Sequence, residues 1–168
     1  MAEKNKDLGS ESPVDALEEP SISTVTDVIS EENCVFCRIA KKEVPANIVY
    51  EDQDFIVFTD RKPVSDHHYL VIPRQHIRDP RVLTKDDIPL VEKMVSIGKR
   101  VLQEKGGSEE DSRMGFHWPP FLFVKHLHLH VMAPVANMSW FQRSVIFRVD
   151  SMVFSTPPCL IQYLKDKN

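Results

Sequence analysis

An α+β domain, with a mostly antiparallel sheet and helices packed on it, is predicted by three observations. Two β-rich segments, Asn47–Glu51 and Phe55–Thr59, lie only three residues apart, which is a hairpin spacing. One long amphipathic stretch, about Lys85 to Lys105, separates these from further short strands. The run His126-Leu127-His128-Leu129-His130-Val131-Met132 alternates polar and apolar residues with the period of a strand. A βαβ series would alternate long helices with strands, and only one long helix is present.

Each element has a local reason. Cys34–Lys42 makes a short helix with Phe36, Ile39 and Ala40 inward, broken by Pro45. Asp52-Gln53-Asp54 turns the first strand into the second. Pro63–Asp66 is a loop, and His68–Ile72 is a third strand closed by Pro73. In the long helix Leu90, Val91, Met94, Val95, Ile97, Val101 and Leu102 keep helical spacing on one side. Thr84 and Asp87 resemble a capping box, Pro89 is tolerable only in the opening turn, and Gly106-Gly107 ends the helix. Arg113–Phe116 is a fourth strand. Trp118-Pro119-Pro120 turns rigidly into the fifth, which carries the histidines and stops at Pro134. A last helix is expected near Pro158 to Lys165, with Leu160, Ile161 and Leu164 inward.

The 168 residues suit one domain with a tail. Residues 1–33 have no aromatic residue, nine acids and two bases, a net of −7, and are expected to be a disordered acidic tail; the domain runs from 34 to 168 with a C-terminal extension. The chain's net charge of −4 leaves +3 for that domain. Such a mild excess suits a phosphate-bearing ligand and falls short of a dedicated nucleic-acid binder, so nucleic acid is not an expected partner. No apolar run is long enough to cross a membrane, and the charged N-terminus has no apolar stretch behind it, so it does not read as a secretory signal. Three cysteines, two of them close together, make no disulfide framework. An intracellular, reducing compartment is expected, the cytoplasm with the nucleus also open to it.

On a strand the three imidazoles share one face, about 6–7 Å apart, and Leu127, Leu129 and Val131 take the other. Histidine can serve as nucleophile, proton donor, anion binder or metal ligand near neutral pH. Solvation alone would be better served by Lys, Glu or Thr. Zinc chelated by the His-x-His strand itself, with a metal-bound water doing hydrolysis, is a competing reading. Cys34-Val35-Phe36-Cys37 is, by itself, either a redox pair or half a zinc site.

Three blocks together resemble the histidine triad family. The run from His126 to Met132 is similar to the family's triad signature. Asp66-His67-His68-Tyr69-Leu70-Val71-Ile72-Pro73-Arg74-Gln75-His76-Ile77 resembles its second block, and Cys34–Ile39 its opening. Arg113–His117 with Pro119-Pro120-Phe121 looks most like the branch of histidine triad nucleotide-binding protein 3, near aprataxin's catalytic domain. The resemblance implies the family's fold, with five strands, a long helix and a short N-terminal helix. It implies an adenosine 5′-monophosphoramidase that releases AMP from phosphoramidates or acyl-adenylates through a nucleotidyl-histidine. The central His128 would be the nucleophile and His130 the phosphate contact. His126 and His68 would orient and support the nucleophile, and Asp60 would contact ribose. Ile39 and Phe58, beside Phe36, could form a base pocket, and His117 stands where the family often has Asn. No cofactor is required for that catalysis. Some members hold zinc through positions equivalent to Cys34, Cys37, His76 and His126, a Cys₂His₂ set suited to a structural ion. Relatives are commonly homodimers. One departure bears on activity: Phe123 stands where related phosphoramidases carry Ser or Thr, beside Lys125. This favours slow turnover or, in the alternative, a nucleotide-binding scaffold without efficient catalysis.

Overall fold

The hairpin forms because Asp52 folds its own turn: its Oδ1 accepts the backbone N–H of Asp54 at 2.9 Å and of Phe55 at 2.7 Å. Strand β1 (Ile48–Glu51) thereby pairs antiparallel with β2 (Phe55–Thr59). The computed structural model describes residues 31–167, so the acidic tail expected at 1–33 lies outside the described residues except for its last three. β2 pairs in turn with β3 (His67–Pro73), from Phe55 opposite Pro73 to Thr59 opposite Tyr69.

The chain then leaves the sheet. Asp87 accepts the N–H of Thr84 at 2.7 Å and its hydroxyl at 3.0 Å, closing the expected capping box. That box tightens Lys85–Asp87 into a 3₁₀ turn, so helix α2 starts later than expected and spans Ile88–Glu104, with Pro89 in its first turn. An earlier short helix, α1, covers Val35–Ala40. After α2 come β4 (Arg113–His117), β5 (Leu129–Ala133), β6 (Phe154–Ser155) and helix α3 (Pro157–Asp166). The sheet has six strands in the order β1-β2-β3-β5-β4-β6, all antiparallel.

The expected α+β class holds, with one strand more than the five expected. β6 pairs Ser155 with Phe116 and Phe154 with His117 along the outer edge of β4. Gly115 permits this approach, since a Cβ there would stand 2.5 Å from both the Phe154 ring and the Ser155 carbonyl oxygen. A two-residue strand carries no readable period, which is why it escapes a pattern search.

The sheet separates two apolar layers. On one face Val57, Tyr69, Val71, Leu127, Leu129 and Val131 pack with Val91, Met94, Ile97 and Val101 of α2 and Leu160 and Leu164 of α3. Each such side chain contributes on the order of 1.5–3 kcal/mol. Gly98 brings α2 close, because a Cβ there would lie 2.8 Å from Val131. Trp118 meets Tyr163 of α3 edge to face, with ring centres 5.2 Å apart. On the other face α1 seats Phe36 and Ile39 on Ile56, Phe58, Leu70 and Ile72. A separate cluster of Met132, Met138, Phe147 and Phe154 covers the far end of that face. Between these two clusters, over β3 and β5, sit the histidines. Among the described residues no helix is long and apolar enough to cross a membrane.

Candidate functional site

The triad is only partly on a strand. β5 begins at Leu129, so His126–His128 precede the ladder instead of lying within it as expected. Leu127 donates its N–H to the carbonyl of Ile77 at 2.6 Å rather than to a strand partner, and the His126 ring engages cysteines beside α1. The alternation itself is kept: Leu127, Leu129 and Val131 enter the α2 layer.

Hydrogen bonds to the backbone fix which nitrogen of each imidazole carries the proton. Nδ1 of His128 lies 2.5 Å from the carbonyl oxygen of His126. A carbonyl only accepts, so Nδ1 is the protonated nitrogen and Nε2 keeps its lone pair. His68 is the reverse. Its Nδ1 accepts the N–H of Val64 at 3.3 Å, which places its proton on Nε2, and Nε2 then donates to Nδ1 of His130 at 2.9 Å. His130 in consequence carries its proton on Nε2, a buried N–H with no partner. Leaving such a donor unsatisfied costs on the order of 1–3 kcal/mol, so the pocket favours an acceptor there. His117 donates Nδ1–H to the carbonyl of Val153 at 3.3 Å.

The predicted residues converge unevenly. His68, His117, His128 and His130 form one cluster: His130 lies 4.9 Å from His117, 4.9 Å from His128 and 5.2 Å from His68, ring centre to ring centre. His68 therefore touches His130, not the nucleophile it was expected to support. His126 meets His128 through its carbonyl rather than its ring. Asp60 lies beside the cluster, with one carboxylate oxygen accepting the N–H of Lys62 at 2.7 Å and the other 3.7 Å from His68 Nε2. Phe36 stands edge-on to His128 at 5.3 Å and to Phe58 at 5.3 Å. Ile39 and Phe58 are buried in the α1 cluster behind it. Phe123 does not approach the triad; its side chain is 99% exposed, and Lys125 is exposed as well.

Burial dominates the electrostatics. It pushes His68 and His117 down to about 4, against the pull of Asp60 on His68 and of the Val153 carbonyl on His117. Burial also lowers His128 and holds His130 well below the ordinary range. All four are neutral at pH 7.

Two residues at the site gave no sequence signal. Phe147 packs against His68, His117 and His130 at 5.8, 5.0 and 5.3 Å, and Phe154 stands 5.2 Å from His117. Arg113 clamps this wall, donating to the carbonyls of Arg143 at 2.7 Å and Phe147 at 2.8 Å. Both phenylalanines sit where the chain shows no period.

A second cluster lies at the N-terminal end of α1. Nδ1 of His126 is 3.4 Å from the Sγ of both Cys34 and Cys37, and Nδ1 of His76 is 3.1 Å from Sγ of Cys37. His126 Nε2 donates to the carbonyl of Pro73 at 2.9 Å, so Nδ1 turns a lone pair toward the sulfurs. All four donor atoms lie within 4.8 Å of one another. Tetrahedral zinc separates its sulfur and nitrogen ligands by about 3.5 Å, and the donor set fits it. Four protein donors leave no open position for a reacting water. Asp60, His68 and His130 are also mutually close, but metal on Nε2 of His68 would move the proton to Nδ1, directly against the N–H of Val64.

The chain is similar to known proteins in sequence and in fold. The family model described as scavenger mRNA decapping enzyme C-term binding matches residues 33–146. The adenosine 5′-monophosphoramidase HINT3 of Xenopus tropicalis is 43% identical over 135 residues, which span 79% of this chain and 88% of its own. That of Mus musculus is 41% identical over 138 residues, 80% of this chain and 83% of its own. Among solved structures, a HIT family hydrolase from Legionella pneumophila superposes with a TM-score of 0.57 at 35% identity, over 60% of this chain and 92% of that one.

Proposed function

The chain belongs to the histidine triad family, and from that premise we propose that it hydrolyses adenosine 5′-monophosphoramidates and related AMP conjugates, with His128 forming a nucleotidyl intermediate. The observation that carries this is the opposed protonation of two adjacent imidazoles. His128 presents a lone pair on Nε2, and His130 presents a proton on Nε2. A neutral imidazole attacks phosphorus without a separate base. As the His128 Nε2–P bond forms, the bond from phosphorus to the leaving amine breaks, and the amine departs with the electron pair and takes up a proton from solvent. His130 donates to a phosphoryl oxygen, where charge is concentrated. Asp60, directly after β2, would accept ribose hydroxyls as acidic residues do in other nucleotide sites. The scaffold alternative draws its support from Phe123, and a ring that projects into solvent does not obstruct the nucleophile.

The test is His128→Ala. It is expected to abolish AMP release and covalent labelling from an AMP–amine conjugate carrying labelled phosphorus, with an unchanged circular dichroism spectrum. Equal rates in the variant and the parent would refute the assignment.

Cys34, Cys37, His76 and His126 are further proposed to hold a structural zinc ion. When bound it would cross-link α1 to the segment that presents His128 and would supply no reacting group.

A further inference from the structure

We propose that His117 is the base that activates water when AMP is released from nucleotidyl-His128, a step that presupposes the intermediate proposed above. The second half of such a reaction needs an acceptor for a water proton, and the pocket offers few. His68 has both nitrogens engaged, with Val64 and His130. Nδ1 of His130 is taken by His68, and its Nε2 is a donor. The His126 ring faces cysteines and the Pro73 carbonyl. One oxygen of Asp60 holds the Lys62 N–H and the other faces His68.

His117 differs from all of these. Its Nδ1–H is tied to Val153, so Nε2 carries a lone pair. Nε2 has no hydrogen-bond partner among the described residues, yet it is not sealed off as Nε2 of His130 is. The ring stands edge-on to His130 at 4.9 Å, beside the phosphate donor, and Phe147 and Phe154 brace it from behind. β4 places it two residues beyond Gly115, the strand partner of His130. Burial keeps the imidazole neutral in the free enzyme, and a bound phosphoryl anion raises its basicity when it is needed.

The step balances. Water oxygen bonds to phosphorus while the bond from phosphorus to His128 Nε2 breaks, and its electron pair returns to that nitrogen. One water proton passes to Nε2 of His117 and the other stays on the phosphate of AMP. His117 then loses its proton to solvent and the enzyme is restored.

The experiment follows His117→Asn and His117→Gln through one turnover of a phosphorus-labelled AMP–amine conjugate, quenched at intervals. One equivalent of amine is expected to appear at close to the parent rate. AMP release is expected to slow by about 10²-fold, the usual scale for losing a general base, with label accumulating on the protein. Uptake of label in itself shows that the variant is folded. Added imidazole is expected to restore AMP release in part in His117→Ala. The proposal is overturned if amine and AMP release slow together without accumulated label, or if the variants turn over like the parent. Failure of the parent enzyme itself to take up label would instead overturn the nucleotidyl-His128 reading.

Discussion

The work of each histidine is set by a single proton, and that proton is placed by a neighbouring main-chain group. The His126 carbonyl leaves His128 a lone pair on Nε2, as the proposed nucleophile requires, and the Val64 N–H, acting through His68, makes His130 a donor. His130→Leu should therefore lower kcat by about 10²-fold or more with a smaller change in KM, because the lost hydrogen bond strengthens as charge develops on phosphorus. Steady-state kinetics on an AMP–amine conjugate measures the split, and an unchanged kcat would show that His130 makes no such bond. The residue types at these positions are legible in the sequence from alternation alone. The protonation states are not, because the groups that decide them are backbone atoms brought in from Val64 and Val153, which carry no chemical signature. For the His126 ring the resemblance implied two roles, support of the nucleophile and a place beside Cys34 and Cys37, and the fold delivers it to the two cysteines.

At the scale of elements, α1 is a six-residue helix that could not persist alone. Its Phe36 and Ile39 anchor it to the sheet, and Phe36 also walls His128. A zinc ion on its Cys pair would add a second anchor. Cys37→Ser is expected to reduce bound zinc from one equivalent to well below that by elemental analysis. A chelator should lower the melting temperature of the parent protein and leave that of the variant nearly unmoved. A parent protein purified without zinc and unable to take it up would defeat this. Hairpin, central strands and long helix were all readable from period and turn chemistry, and β2 has the expected bounds. The start of β5 was not, since the pull on His126 comes from residues some ninety positions earlier. Nor was β6, whose pairing depends on the missing side chain of Gly115.

For the molecule as a whole, a pocket of buried neutral imidazoles is a liability in acid. His68 and His117 have folded values of about 4 against an ordinary 6.5, so between those limits the unfolded chain binds more protons than the native one. Stability is full above pH 6.5 and declines as pH falls from 6.5 toward 4. Denaturant midpoints of the metal-free protein across that range should record the decline, and His117→Asn should make it shallower. A flat profile would mean that these rings are hydrated in the native state. The α+β class and the two-sided sheet were legible because the central strands are short apolar runs bounded by turn residues and a single long stretch keeps helical spacing. The wall formed by Phe147 and Phe154 was not, because Phe147 lies outside any strand and Phe154 in a two-residue one, and the two meet only where they pack on Met132 and the histidines.

The contact between Trp118 and Tyr163 makes the back of the sheet observable by light. The chain has two tryptophans. The indole of Trp140 is 69% exposed, while that of Trp118 rests against α3 at the end of the strand that carries His117. A collisional quencher in solution will extinguish the emission of Trp140 first and leave a bluer residual signal from Trp118. Detachment of the C-terminal helix can thus be followed optically, apart from any chemistry in the pocket.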